Sequence, residues 1–274
     1  MHMVHRIPAA PLDAIVAVLW WNHRSEAGRT VEHMLPSGTA QLVIALHEQP
    51  ITWAAADTGS SWNRWTGAIV HGPQSTYYCA GPKPAGTVMG VAFRPGAAGA
   101  LLGVPAAELA DRHVPLDALW GRSARELRER LAACPDAHSA LRLLEHYLQA
   151  RMNKPLLMHP AVAHALRASH AQPVESLRRQ SGYSHRHFVA LFREAVGLAP
   201  KHFSRIQRFS AAARLLASQP IGLAELAAQL DYADQAHFAR EFRALCGVAP
   251  SAYRPAAQDR PYHHVAATSG AGDR

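Results

Sequence analysis

Tyr183-Ser184-His185-Arg186-His187-Phe188-Val189-Ala190-Leu191-Phe192-Arg193 and Asp234-Gln235-Ala236-His237-Phe238-Ala239-Arg240-Glu241-Phe242-Arg243 are two versions of one pattern. His187 and His237, Phe188 and Phe238, Phe192 and Phe242, and Arg193 and Arg243 each stand 50 positions apart. The same offset links Gly197 to Gly247, Ala199 to Ala249, Pro200 to Pro250 and Phe203 to Tyr253, while Tyr183 and Tyr232 match with one residue fewer. Eight matches at one offset mark an internal repeat, and its unit decides the fold of this half of the chain.

Each copy has the grammar of two helices joined by a tight turn. In the first, 174–180 reads as a short helix with Pro173 at its start and Gly182 just past its end. Ser184 can cap the next helix by accepting a hydrogen bond from a free backbone N–H. That helix runs to about Val196, where Gly197 supplies a left-handed turn. In the second copy 223–230 is the short helix, Asp234 the cap, and Gly247 the end of the longer helix.

A helical wheel separates two faces. Phe188, Leu191, Phe192 and Ala195 share one side, as do Phe238, Phe242 and Leu245, and these are the expected core. The outer side carries His185, Arg186, Val189, Ala190 and Arg193 in the first copy, and Gln235, Ala236, Ala239, Arg240 and Arg243 in the second. Arg can bridge guanine O6 and N7, Gln can pair with adenine, and small residues permit close approach, so this face suits a DNA major groove. His185, Arg186, Val189, Ala190, Gln235, Ala236, Ala239 and Arg240 are the expected base-facing residues. Val189 and Ala190 offer no hydrogen bonds, so base readout in the first copy leans on Arg186 and His185.

Between the copies, Pro200 opens a helix through about Ala217, enough to separate the modules by ~25 Å. Offset packing on both sides brings two recognition helices near the ~34 Å repeat of a DNA turn. Ser184, Arg193, Lys201, Arg205 and Arg243 are the expected phosphate contacts, with Arg208 in a similar position. For each of the connecting-helix cations, a solvated side chain is the alternative reading.

Charge supports the division. The 274 residues carry 28 Lys and Arg against 20 Asp and Glu, a formal +8. Residues 1–154 hold 14 basic and 12 acidic side chains, whereas 155–256 hold 12 and 6, and the tail 257–274 holds two of each. A basic domain beside a near-neutral one is expected where one half meets a polyanion, a solvated basic surface being the plain alternative. The Pro-bounded stretch around Lys154, Pro155 and Pro160 marks the boundary. The expected organisation is an N-terminal sensor and dimerisation domain over 1–153, a linker over 154–160, the repeat domain over 161–255 and a disordered tail over 256–274.

Within the first domain, residues 1–95 read mostly as strands, with apolar runs over 42–46 and 87–93 between Gly and Pro punctuation. Residues 96–151 turn helical, with Leu127, Leu131, Leu141, Leu144 and Leu148 at three- and four-residue steps. The longest apolar run, 14–21, falls well short of the ~20 residues that span a bilayer and has no cleavage site behind it. Three cysteines, Cys79, Cys134 and Cys246, are too few and too dispersed for a disulfide framework or a cysteine zinc site. The expected location is therefore the reduced cytoplasm, with no membrane partner.

Residues 160–255 resemble the AraC/XylS-type DNA-binding domain over its whole length. The Gly182-Tyr183-Ser184 turn, the paired His-Phe-x-x-x-Phe-Arg cores and the ending Gly247-Val248-Ala249-Pro250-Ser251-Ala252-Tyr253-Arg254 carry the resemblance. One departure is Glu241, which often has a neutral counterpart in that family; it either faces the adjoining helix or repels a phosphate. The resemblance implies a bacterial transcription regulator that binds double-stranded DNA. RNA polymerase, a small-molecule effector of unknown identity and a second copy of the chain are further candidate partners.

Residues 5–150 resemble the less-characterised N-terminal domain of some of these regulators. The resemblance rests on Leu35-Pro36-Ser37-Gly38, His71-Gly72-Pro73-Gln74 and Phe93-Arg94-Pro95-Gly96, and continues through 101–109 and 115–121. It implies a small cupin-like β-barrel that senses a small molecule, followed by helices that often mediate dimerisation. The expected fold class is therefore α+β, a barrel with helices joined to an all-α double helix-turn-helix domain.

Aromatic residues concentrate early in the chain. Trp53, Trp65, His71 and Tyr77 are the candidate effector contacts, against ordinary sheet packing as the alternative. His33, His47 and His71 do not form a compact pair with a nearby carboxylate, so neither metal nor another cofactor is expected. No G-x-S-x-G elbow, P-loop or G-x-G-x-x-G after a strand points to an enzyme, and Cys79 reads as a buried small hydrophobe. Two competitors stand beside the regulator: a ligand-independent architectural DNA binder, and a metal-dependent cupin enzyme fused to a DNA-binding domain.

Overall fold

The computed structural model describes residues 2–56, 61–152, 158–168, 172–255 and 263–265. An N-terminal α+β unit leads into a C-terminal unit of helices, as the sequence implies. Its strands in chain order are β1 (His2–Arg6), β2 (Val16–Arg24), β3 (Glu32–Met34), β4 (Gln41–Ala45), β5 (Ile51–Ala55), β6 (Asn63–Trp65), β7 (Ala68–His71), β8 (Tyr78–Ala80), β9 (Gly86–Phe93), β10 (His113–Pro115) and β11 (His263–Val265). They pair antiparallel into two sheets, ordered β1-β2-β9-β4-β7-β10 and β11-β3-β8-β5-β6.

Strand alternation assigns the residues of the six-stranded sheet to two environments. Leu42 and Ile44 of β4, and Met89, Val91 and Phe93 of β9, are buried on one face. They pack in one core with Leu127 and Leu131 of α4 (Arg122–Ala132) and Leu141, Leu144 and Leu148 of α5 (Ala137–Arg151). Each such burial contributes ~1.5–3 kcal/mol, so the leucine periodicity noted over 127–148 anchors the sheet. The alternate residues, Gln41 and Val43 of β4 and Val88 and Ala92 of β9, face the second sheet across a cavity of about 280 Å³. Three short helices complete this unit: α1 (Gly99–Leu102), α2 (Ala106–Leu109) and α3 (Leu116–Trp120).

Two stretches depart from the sequence reading. The region expected to be helical over 96–151 contains β10, which pairs with β7 through His113↔His71. Three residues is too short a run for periodicity to reveal. The tail expected to be disordered over 256–274 contains β11, which pairs with β3 through His263↔Met34, His264↔His33 and Val265↔Glu32. Residues 256–262 and 266–274 lie outside the described residues, as do 154–157 of the expected linker.

The C-terminal unit holds α6 (Pro160–Ala168), α7 (Val174–Ser181), α8 (His185–Val196), α9 (Pro200–Ser218), α10 (Leu223–Gln229) and α11 (Gln235–Cys246). Phe188, Phe192, Phe203, Phe209, Phe238, Phe242 and Tyr253 share its core. The Phe209 and Phe242 ring centroids are 5.0 Å apart and those of Phe192 and Phe203 5.6 Å, so α9 packs against both repeats. Among the described residues, no helix is long and apolar enough to cross a membrane.

Candidate nucleic-acid interface and sensor cavity

The repeat is reproduced residue by residue at the helix ends. Ser184 Oγ accepts a hydrogen bond from the His187 N–H at 3.3 Å, and 50 positions later Asp234 Oδ1 accepts one from the His237 N–H at 2.6 Å. Both helices close on glycine in the left-handed region, Gly197 at φ +85° and Gly247 at φ +84°, where an L side chain would be strained. The shorter, charged bond makes the second cap the firmer one. Asp234→Ala is expected to lower folding stability by ~1 kcal/mol, read from urea unfolding. An unchanged midpoint would show that water replaces the cap.

The predicted faces are the observed faces. His185, Arg186 and Ala190 on α8, and Gln235, Ala236 and Arg240 on α11, are exposed, and Val189 and Ala239 are half-buried beside them. Ser184, Arg193, Lys201 and Arg243 are also exposed. A groove of about 790 Å³ lies between the two repeats and takes in only His185 and Val189 of the base-facing candidates. His185 and Val189 of α8, Lys201 and Ser204 of α9, and His237 of α11 line it together.

Arg205 and Glu241 resolve each other. Arg205 Nε lies 2.9 Å from Glu241 Oε1, and Arg208 stands 3.7 Å from the other carboxylate oxygen and over the Tyr232 ring at 4.7 Å. Glu241 thus faces the adjoining helix, the first of the two orientations open to it. Arg205, expected at a phosphate, is spent largely on holding α9 to α11. Neither engagement was visible in the sequence, because the pair spans 36 positions with no fixed spacing.

The C-terminal ends of both recognition helices rest on the N-terminal unit. A Cβ at Gly197 would stand 2.8 Å from the Ala106 carbonyl oxygen, and one at Gly247 2.6 Å from Tyr77 Cζ. Thr76 Oγ1 donates to the Ala244 carbonyl at 3.2 Å, His202 Nε2 to Ser75 at 2.8 Å and Gln207 Nε2 to Ser37 at 3.1 Å. Residues 73–77 therefore touch both repeats and the connecting helix. The helix N-termini, with their base-facing candidates, point away from these contacts.

The cavity between the sheets collects only part of the expected effector set. Trp53 and His71 line it, together with Trp20, Met34, Tyr78 and Lys83. Trp65 lies outside the lining, with its indole N–H donating to Ala68 at 3.1 Å. Tyr77 also lies outside, stacked on His33 with centroids 4.5 Å apart. Its neighbour Tyr78 points the other way, as strand alternation requires. Met34, Lys83 and His263 were missed because each depends on register across the two sheets.

Two buried histidines are expected to give this unit a pH dependence. His71 Nδ1 and His113 Nδ1 are 2.6 Å apart, and burial pushes both rings below the ordinary histidine value. The unfolded chain takes up these protons near pH 6.5 while the folded rings resist. Folding stability is therefore expected to fall as pH drops from 7 towards 5. A His71→Phe variant should flatten that slope in urea unfolding, and a slope unchanged by it would place the dependence elsewhere. Among the described residues, no three His, Cys, Asp or Glu side chains converge in a way that could hold a metal ion.

Residues 177–256 match a helix-turn-helix domain family, and residues 4–115 match a domain family of unknown function. Over 81 residues, 30% of this chain, the sequence is 36% identical to the F1 operon positive regulatory protein of Yersinia pestis, covering 27% of that protein. Over another 81-residue alignment it is 30% identical to the transcriptional activator AarP of Providencia stuartii, covering 60% of it. The chain thus spans between about a quarter and three fifths of these relatives' lengths. Among solved structures, fatty-acid-bound ToxT of Vibrio cholerae gives a TM-score of 0.46 at 10% identity, covering 85% of this chain and 93% of that one. The DNA-bound domain of AdpA gives 0.31 at 32% identity, over 34% and 84%. With both scores below 0.5, the architecture rests on the element order and packing given above.

Proposed function

We propose that this chain, which carries a duplicated helix-turn-helix domain, is a sequence-specific transcription regulator of the AraC/XylS type that reads two successive major grooves of double-stranded DNA. The observation that carries the reading is the 50-residue repeat itself. It presents two capped helices whose equivalent outer positions are exposed or half-buried and carry arginine, histidine, glutamine and small residues. The regulators it matches over this domain support the same reading. In it, His185, Arg186, Val189, Ala190, Gln235, Ala236, Ala239 and Arg240 meet base edges. Ser184, Arg193, Lys201 and Arg243 meet phosphates.

Lys201 tests the phosphate assignments. It is exposed on the first turn of α9, on the groove shared by both repeats. Lys201→Ala is expected to weaken binding to all sequences alike and to flatten the slope of log affinity against log salt by about one unit. An unchanged slope would remove Lys201 from the contact set.

The N-terminal unit is the proposed sensor. A cavity of about 280 Å³ between two sheets, lined by aromatic and aliphatic side chains with a few polar groups, suits a compact, mainly apolar effector. The residues that contact both repeats, 73–77, run directly between the cavity-lining His71 and Tyr78. An effector regulates DNA binding only if it favours one seating of the repeats over another, and this short connection gives it the means.

A further inference from the structure

Strand β11 stands at the junction of everything the proposed function needs, although the sequence places it in a tail. Its first residue, His263, lines the cavity, and its ring Nδ1 lies 2.9 Å from Glu32 Oε2. Glu32 is buried on β3 and also pairs with Lys83, a second cavity-lining residue. Burial acts to raise the Glu32 carboxyl, but the His263 hydrogen bond and the Lys83 charge outweigh it and hold the group down at about 2. A carboxylate kept ionised in so buried a place loses much when a partner leaves.

The next residue faces the DNA-binding domain. His264 is 2% exposed, and its Nδ1 lies 3.0 Å from both the amide nitrogen and the carbonyl oxygen of Arg254. Its ring stacks on Tyr253 with centroids 5.7 Å apart and meets His33 edge-on at 5.4 Å. His33, the β3 partner of His264, donates through Nδ1 to the carbonyl of Cys246 at 2.9 Å, and Cys246 is the last residue of α11. Val265 closes the strand, its N–H donating to the Arg254 carbonyl at 3.0 Å. A continuous set of contacts thus runs from the cavity wall through three residues to the end of the second recognition helix.

We propose that β11 is a strap that completes the effector cavity and couples its occupancy to the seating of the second recognition helix. The inference rests on the sensor-and-regulator reading given above. An occupant touching His263, Met34 and Lys83 favours the seated strap. By reciprocity, a seated strap tightens the occupant's binding by the same factor. Because His33 bonds the last residue of α11 and His264 packs on His33 and on Tyr253 and Arg254 just beyond that helix, the effect falls on the second module's half of the operator.

The test uses the full chain and an operator selected from random duplex DNA, with each half scrambled in turn. The second module's half is the one whose base preference Arg240→Ala relaxes. Val265→Pro removes the N–H that holds the strand to Arg254, while His263→Ala leaves the backbone pairing in place. Val88→Phe fills the cavity as a stand-in for an occupant. Val265→Pro and Val88→Phe are each expected to change affinity for the intact operator at least fivefold. That change should fall below twofold once the second module's half is scrambled, and persist when the first half is scrambled. His263→Ala should show the same dependence even if Val265→Pro lowers overall stability. Changes below twofold on the intact operator, or equal losses with either half scrambled, would overturn the strap. An inert Val88→Phe beside active strap variants would sever the cavity from it and overturn the coupling. Failure to select any operator would instead remove the regulator reading, and the strap with it.

Discussion

Phe192→Ala is expected to lower the stability of the helical unit by ~3–5 kcal/mol, a large share of what a domain of this size has. Phe192 is 2% exposed, and its ring sits 6.3 Å from that of Phe188 and 5.6 Å from that of Phe203. Truncation removes the contact between α8 and α9 and leaves a void that two neighbouring rings cannot collapse to fill. Phe242, its repeat counterpart, lies between Phe209 at 5.0 Å and Tyr253 at 5.5 Å, so Phe242→Ala should cost a comparable amount in the second module. Urea unfolding followed by circular dichroism measures both. A Phe192→Ala protein as stable as the parent would contradict the division of α8 into a core face and an outer face.

Arg240→Ala is expected to cost ~1–3 kcal/mol of DNA affinity, concentrated at one base position of the operator. Arg240 is exposed on the outer face of α11, nearly two turns after the Asp234 cap, flanked by the small side chains Ala236 and Ala239. Small neighbours let the helix approach the groove floor, where a guanidinium can make two hydrogen bonds to guanine. Competition binding against operators substituted base by base is the measurement. Relaxed preference at one position with the rest unchanged supports base readout. A uniform loss on every sequence would make Arg240 a phosphate contact.

The DNA-binding half was legible because its information is local. A cap, a heptad-scale apolar face and a terminal glycine all lie within 14 positions, and the second copy repeats them at a fixed offset. The N-terminal half was less so, since its cavity depends on which strand lies beside which. Trp53 and His71 were found by residue type, whereas Met34, Lys83 and His263 reach the same space only through pairings of distant segments.

The turns that identified the N-terminal domain have a second use that local reading did not reveal. Leu35 joins the helical core of the DNA-binding domain, Ser37 accepts a hydrogen bond from Gln207, and Pro73 packs at Gly197. Gly96 lies beside Met158, Leu166 and Val196. Motifs that read as turns and helix packing are thus also the joints between the N-terminal unit and the helical unit. Arg205 shows the opposite error, a basic residue on the right helix whose charge is taken up by Glu241.

In the proposed function, one chain reads DNA at two places through two equivalent helices. This is tested most directly by selecting binding sites for the purified protein from random duplex DNA near physiological salt, with and without a metabolite mixture. The expected result is an enriched site with two conserved patches about one helical turn apart, ~10 base pairs centre to centre. Arg186→Ala should relax one patch and Arg240→Ala the other. Retention of DNA with no enriched sequence in either condition would contradict the claim and favour an architectural DNA binder.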